Sequence, residues 1–242
     1  EHLKNEHILR QIPSVGGSLM RVKKNRKGQW EIDLHDKRNR RFHARTPISI
    51  NAPRAIAGSK TAAGTLANCS GGQTPWGTFL TCEENYEKFY GQAIYPNGQR
   101  TIDSRPARYK WNRFFQEPPE HYGWVVEINP QTGAAQKLTA MGRFSHEGAA
   151  VVTAADGRCV AYMGDDTSNQ CIYKFVASKK GSLEAGELFV ANVKAGRWES
   201  LEWSKEKILQ KHFKDQTDVL IRTREAARLV GGTPMDRPEG IQ

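Results

Sequence analysis

Several things are scarce in this chain of 242 residues. There are four cysteines, Cys69, Cys82, Cys159 and Cys171, and no CxxC pair. That is too few for a disulfide scaffold and lacks the spacing of a zinc ribbon or a thioredoxin-type redox site. Cys159 and Cys171 could bridge neighbouring strands or remain two buried free thiols. No apolar run approaches the roughly 20 residues of a membrane span. The first ten residues are charged and polar, so no signal peptide is visible there. Hydrophobic residues make up only 38% and no segment is of low complexity.

Basic residues are plentiful, giving a net charge of +10. Such a balance suits nucleic acid, an acidic surface or an anionic small molecule. The densest patch runs from Arg21 to Lys27 and on to Arg41, without a glycine-aromatic RNA-binding signature or a helix-turn-helix pattern. It reads as a solvated hairpin face, and neither nucleic acid nor membrane is expected as a partner.

The 22 glycines and 11 prolines mark many turns between short strands. Ser18 to Lys23 and Gln29 to Leu34 form a hairpin, and Arg41 to Ile50 continues the sheet. Thr65 to Cys69 and Thr78 to Cys82 flank a Gly-rich turn. Gly123 to Ile128 turns through Asn129-Pro130-Gln131-Thr132-Gly133 into Ala135 to Thr139. Ala149 to Thr153 and Cys159 to Met163 pair around Ala155-Asp156-Gly157. Ile172 to Val176, Glu187 to Val193 and Arg197 to Trp203 follow. Strands at this spacing imply an all-β sandwich, barrel or propeller. Residues 85 to 122 read as a long ordered loop. Residues 204 to 230 read as a short helical insertion, with Ser204 as an N-cap and a second helix starting at Thr217 or Asp218. One domain over 1–242 is expected, an internal piece of a longer chain.

Polar groups that could carry chemistry fall in five clusters: Asn5-Glu6-His7; Cys69 with Glu83-Glu84; Ser145-His146-Glu147-Gly148; Gly164-Asp165-Asp166; and Asp236-Arg237-Pro238-Glu239-Gly240. Cys69 is a soft ligand and the carboxylates are hard, a mixture that suits a transition metal better than magnesium alone. Adjacent strand residues face opposite ways, so at most one of Glu83 and Glu84 is a direct ligand unless the strand has ended. Oxygen ligands suit calcium and the thiol an iron site. Metals polarising phosphoryl oxygens, with an arginine clamping the phosphate, fit phosphate-ester hydrolysis.

These pieces resemble the PhoX-type bacterial alkaline phosphatases. The resemblance rests on NEH at 5–7, NCSGGQTPWGTFLTCEEN at 68–85, GWVVEINPQTG at 123–133, GRFSHEGAAV at 142–151, YMGDD at 162–166 and MDRPEGI at 235–241. It implies a six-bladed β-propeller, here a partial ring, whose mouth carries iron and calcium. It implies a monomeric phosphatase that hydrolyses small-molecule phosphomonoesters without a serine phospho-intermediate, periplasmic or secreted after twin-arginine export. It implies Cys69 on iron, Glu6, Glu84 and Glu147 as metal ligands, Glu83, Asp166 and Glu239 as further candidates, and Arg237 as the phosphate clamp, with Arg237 and Glu84 catalytic. No twin-arginine leader is seen here, and at roughly 40 residues per blade the chain makes only about four blades. The rival readings are a non-catalytic or calcium-only binding propeller, and a propeller hydrolase of lactones or organophosphates.

Overall fold

The computed structural model describes residues 3–241. Two antiparallel-rich sheets form its body. The first runs in the order Thr61–Ala62, Ile48–Asn51, Ala135–Leu138, Val125–Ile128, Phe79–Glu83, Asn68–Gln73. All its neighbours are antiparallel except Ile48–Asn51 and Ala135–Leu138, which run parallel. The second is a five-stranded meander: Ala150–Thr153, Cys159–Gly164, Ile172–Ala177, Gly186–Asn192 and Arg197–Ser200. Among the described residues neither sheet closes on itself.

Alternation of side chains makes these strands. In Ile172–Ala177, Tyr173, Phe175 and Ala177 are buried while Ile172, Lys174 and Val176 are half-buried. The largest core joins both sheets and the helical insertion, through Leu80, Val125, Phe144, Met163, Phe175 and Val219. Cys159 and Cys171 lie in it as free, buried thiols; no bridge joins them.

The segment 85–122 is not a plain loop. It holds helix α2 (Glu87–Tyr90) and a ribbon of Gln92–Ile94 with Thr101–Asp103. Tyr86, Phe89, Tyr90, Trp111 and Tyr122 form an aromatic core there, and it seats Ile8 and Ile12 of the N-terminal segment. Ile8 belongs to α1 (Asn5–Gln11), a helix whose Gln11 side chain accepts a 2.8 Å hydrogen bond from the Trp111 indole N–H. The helical insertion comprises α3 (Lys207–His212), α4 (Gln216–Ile221) and α5 (Thr223–Leu229). Glu206, not Ser204, precedes α3, while Asp215 caps α4 by accepting from the Asp218 N–H at 2.8 Å.

One expectation fails at an informative place. The Gly-rich stretch is not the turn: Asn68–Gln73 is strand throughout, and the turn is Thr74-Pro75-Trp76-Gly77. The two glycines are there for close approach. A Cβ on Gly71 would lie 1.8 Å from the Leu80 carbonyl oxygen, and one on Gly72 2.3 Å from that of Ala149. Asn68 pairs with Glu83 but Gly71 with Thr81, so the strand carries one extra residue at Cys69-Ser70. Such a bulge re-aims a side chain, and here the side chain is the cysteine.

Candidate metal and phosphate site

Three strand ends and a returning segment meet around Cys69. The bulge exposes its thiol. Glu84 is the first residue past Phe79–Glu83, and its N–H is held by the Ala67 carbonyl at 3.1 Å. Glu147 lies just before Ala150–Thr153. One ligand atom each from Cys69, Glu84 and Glu147 lies within 4.8 Å of the others. The Cys69 thiol is 3.5 Å from Glu147 Oε1, and the Asn85 amide fixes Glu84 Oε1 at 2.5 Å.

Asp166 and Arg237 stand beside this group. Arg237 grips Asp166 with two parallel bonds of 2.8 Å, from Nε and Nη2. Its Nη2 is also 3.8 Å from Glu239. The segment reaches this position because Met235–Asp236 pairs with Ser168–Gln170, and because Gly164 leaves room for it. A Cβ on Gly164 would sit 2.2 Å from the Glu239 carbonyl oxygen and 2.3 Å from that of Pro238.

The electrostatics are those of crowded anions. Burial, then the neighbouring Glu84 and Glu147 carboxylates, push the Cys69 thiol up to about 11. Burial and the Asp166 carboxylate raise Glu84 above the usual carboxylate range. Arg237 does the opposite for Asp166, holding it low through its hydrogen bonds. A thiol and two carboxylates this close, with the adjacent guanidinium spent on Asp166, fit a bound cation. A cation would take the place of the thiol proton and relieve the repulsion. The mixed soft and hard donors suit a transition metal such as iron, and the carboxylates suit calcium.

Three neighbouring acidic or imidazole groups turn the other way. Glu83 is a correction to the expected ligand set. It is fully buried, 2.6 Å from the Lys137 ammonium, and accepts from the Thr65 hydroxyl at 2.9 Å and the Gly123 and Trp124 N–H groups at 3.0 and 3.1 Å. Nothing of its carboxylate is left for a metal. His146 is buried against Phe144, with ring centroids 3.6 Å apart, and its Nε2 is 2.9 Å from the Gly142 carbonyl. Burial pulls its imidazole down to about 3. Asp165 is locked by Arg224 at 2.7 and 2.6 Å, and Arg224 also donates to Ser145 and Thr167. Thus at Glu83-Glu84, His146-Glu147 and Asp165-Asp166 the first residue goes to the interior and the second to the site. Glu6 lies exposed on α1 and does not join the three-ligand group. Glu239 stands exposed next to Arg237. Lys137 and Arg224, which hold the inward members of two of these pairs, escaped the sequence reading.

Residues 2–242 match the family described as alkaline phosphatase PhoX. The chain belongs to the PhoX alkaline phosphatase family. A solved structure, "Pseudomonas fluorescens PhoX in complex with vanadate, a transition state analogue", superposes with a TM-score of 0.78 at 36% identity, covering 93% of this chain and 47% of that one. The chain therefore spans about half the length of that PhoX protein. No curated protein matches it.

Proposed function

We propose that this PhoX-family chain carries the metal-binding part of a phosphatase that hydrolyses phosphomonoesters and releases inorganic phosphate. In this reading iron and calcium are held by Cys69, Glu84 and Glu147, with Asp166 and Glu239 at the edge, in a six-bladed propeller of a periplasmic or secreted protein. The observation that carries it is the convergence of one thiol and two carboxylates within 4.8 Å, beside an arginine with a phosphate-binding fork. Family membership and the vanadate bound by the P. fluorescens protein support it.

When bound, such metals polarise the phosphoryl oxygens and lower the pKa of water. The chain's own residues supply the rest. Cys69 lies on an edge strand of the first sheet and Glu147 in the segment leading into the second, so the site is fixed by the packing of the two sheets rather than by one loop. The Asn85 amide sets the plane of the Glu84 carboxylate. Arg237 is more than half exposed, so it can exchange Asp166 for two oxygens of a phosphate without leaving its backbone position. Its left-handed φ of +53° is one that few non-glycine residues adopt, and such strain is kept where it aims a functional side chain. The net charge of +10 favours an anionic substrate. Calcium-only binding and lactone or organophosphate hydrolysis would leave Cys69 without a role.

The test is turnover of p-nitrophenyl phosphate by the metal-loaded protein and by Arg237→Gln. Loss of a two-donor contact to the developing charge is expected to lower kcat/KM by about 10²–10³. An Arg237→Gln protein with unchanged kcat/KM would refute the assignment of the clamp.

A further inference from the structure

A second group of cations lies outside this site. A cavity of about 260 Å³ opens between the ribbon strand Gln92–Ile94 and the start of α5. Its wall includes Arg143, Arg222, Arg224 and Arg228, against a single acid, Glu225. None of these residues belongs to the thiol–carboxylate group.

Arg143 is the unusual member. It is 3% exposed. Its Nε donates to the Tyr122 carbonyl at 2.7 Å, and its Nη2 to the Pro119 carbonyl at 2.7 Å and the Gln92 amide oxygen at 3.3 Å. Its guanidinium also lies over the Tyr86 ring. All these partners are neutral. Among the described residues no carboxylate lies within 4.0 Å of it and its Nη1 has no hydrogen-bond partner; the Glu120 and Glu87 carboxylates attract it from beyond contact distance. Buried guanidinium groups are ordinarily paired with an anion, because removing a charge from water is costly without one.

The other three arginines sort cleanly. Arg222 is consumed by Glu225 and Asp218. Arg224 spends Nε and Nη2 on Asp165, Ser145 and Thr167, and Nη1 makes no hydrogen bond. Arg228 is exposed and, among the described residues, forms no ion pair. Glu225 cannot serve Arg143, since both its oxygens face Arg222 at 2.9 and 2.6 Å. The cavity is thus bordered by one buried guanidinium with no carboxylate in contact, a second with one edge unbonded, and one uncommitted guanidinium.

We infer that this cavity binds a small tetrahedral oxyanion, inorganic phosphate or sulfate, as the contacting anion that Arg143 lacks, with Arg224 and Arg228 as further donors. The volume is below that of most drug-sized pockets, enough for the ion and a few waters. Arg224 holds Asp165 with its opposite edge, so the ion would sit one side chain away from the Asp165-Asp166 step.

The experiment is calorimetric titration of inorganic phosphate, and separately sulfate, into the metal-loaded chain, Arg228→Gln, Arg143→Met and Arg237→Gln. A saturable phosphate site that survives Arg237→Gln and weakens about tenfold in Arg228→Gln is expected, the loss of one charge-assisted contact. Sulfate should compete for it. Arg143→Met should abolish it, and the surface variant Arg228→Gln decides the matter if Arg143→Met does not fold. The inference is overturned if phosphate binding is lost in Arg237→Gln and unchanged in Arg228→Gln, or if no saturable site other than the thiol–carboxylate one is found. It is also overturned if glycerol phosphate binds through Arg228 more tightly than the free ion, since the site would then be one for esters.

Discussion

Lys137→Met is the most informative single change to the scaffold. Lys137 and Glu83 are both 0% exposed and 2.6 Å apart. Removing the ammonium leaves a carboxylate with no counter-ion in the middle of the six-stranded sheet. Losing one partner of a buried ion pair costs about 3–5 kcal/mol. Glu83 keeps the Thr65 hydroxyl and the N–H groups of Gly123 and Trp124, which partly solvate its charge, so the lower end, about 3 kcal/mol, is expected. For a domain of this size that corresponds to a fall in Tm of roughly 6–12 °C. Denaturant unfolding followed by tryptophan fluorescence measures it. The paired change Lys137→Met with Glu83→Gln removes both charges and should recover most of the loss, because the pair itself is worth little over a neutral replacement. A Lys137→Met protein within about 1 kcal/mol of wild type, or a double variant no better than the single one, would refute the reasoning. Because Glu84 follows Glu83 directly, Lys137→Met should also weaken metal binding about tenfold or more, as loss of a supporting partner does elsewhere.

Two further outcomes follow from the packing. Gly164→Ala places a methyl within 2.2–2.3 Å of the Pro238 and Glu239 carbonyl oxygens, so the Arg237 segment must move away. The proposed phosphatase activity should fall on the order of 10²-fold, as a displacement of about 1 Å of a positioning group costs, and a Gly164→Ala protein as active as the parent would contradict the placement of that segment. His146 is kept neutral by burial, its pKa falling to about 3 from an ordinary 6.5. The unfolded chain therefore binds more protons between those values. Stability should fall as the pH drops from about 6.5 towards 3, by up to about 1.4 kcal/mol per pH unit from this group, and His146→Phe should flatten that slope. An unchanged slope would show that the ring is not held neutral.

Much of the all-β reading was legible from alternation and turn chemistry. Asn129-Pro130-Gln131-Thr132-Gly133 marks the turn between Val125–Ile128 and Ala135–Leu138, and Ala155-Asp156-Gly157 that between Ala150–Thr153 and Cys159–Gly164. What was not legible depends on contacts distant in sequence. The parallel pairing of Ile48–Asn51 with Ala135–Leu138 has no local signal. Gly71-Gly72 looked like a turn because glycine frees the backbone, whereas here it lets Leu80 and Ala149 come close. Lys137 carries no local signal of its role, because its partner Glu83 lies on a strand two places away in the sheet, with Val125–Ile128 between them. At the site, the alternation rule said that only one of Glu83 and Glu84 could be a direct ligand. It could not say which, because that depends on where the strand ends and what fills the far side. The same holds for His146-Glu147 and Asp165-Asp166, where Phe144 and Arg224 capture the first residue of each pair. Glu6 was placed by motif alone, and its helix packs on the aromatic core through Ile8 rather than carrying the glutamate to the three ligands.

The central claim is that Cys69, Glu84 and Glu147 hold a transition metal. Elemental analysis of the purified chain beside Cys69→Ala tests it most directly. The account predicts iron bound in stoichiometric amount by the wild type and lost from Cys69→Ala, with both proteins folded and with calcium retained better than iron, since calcium does not use the thiol. A Cys69→Ala chain that keeps all its iron would contradict it.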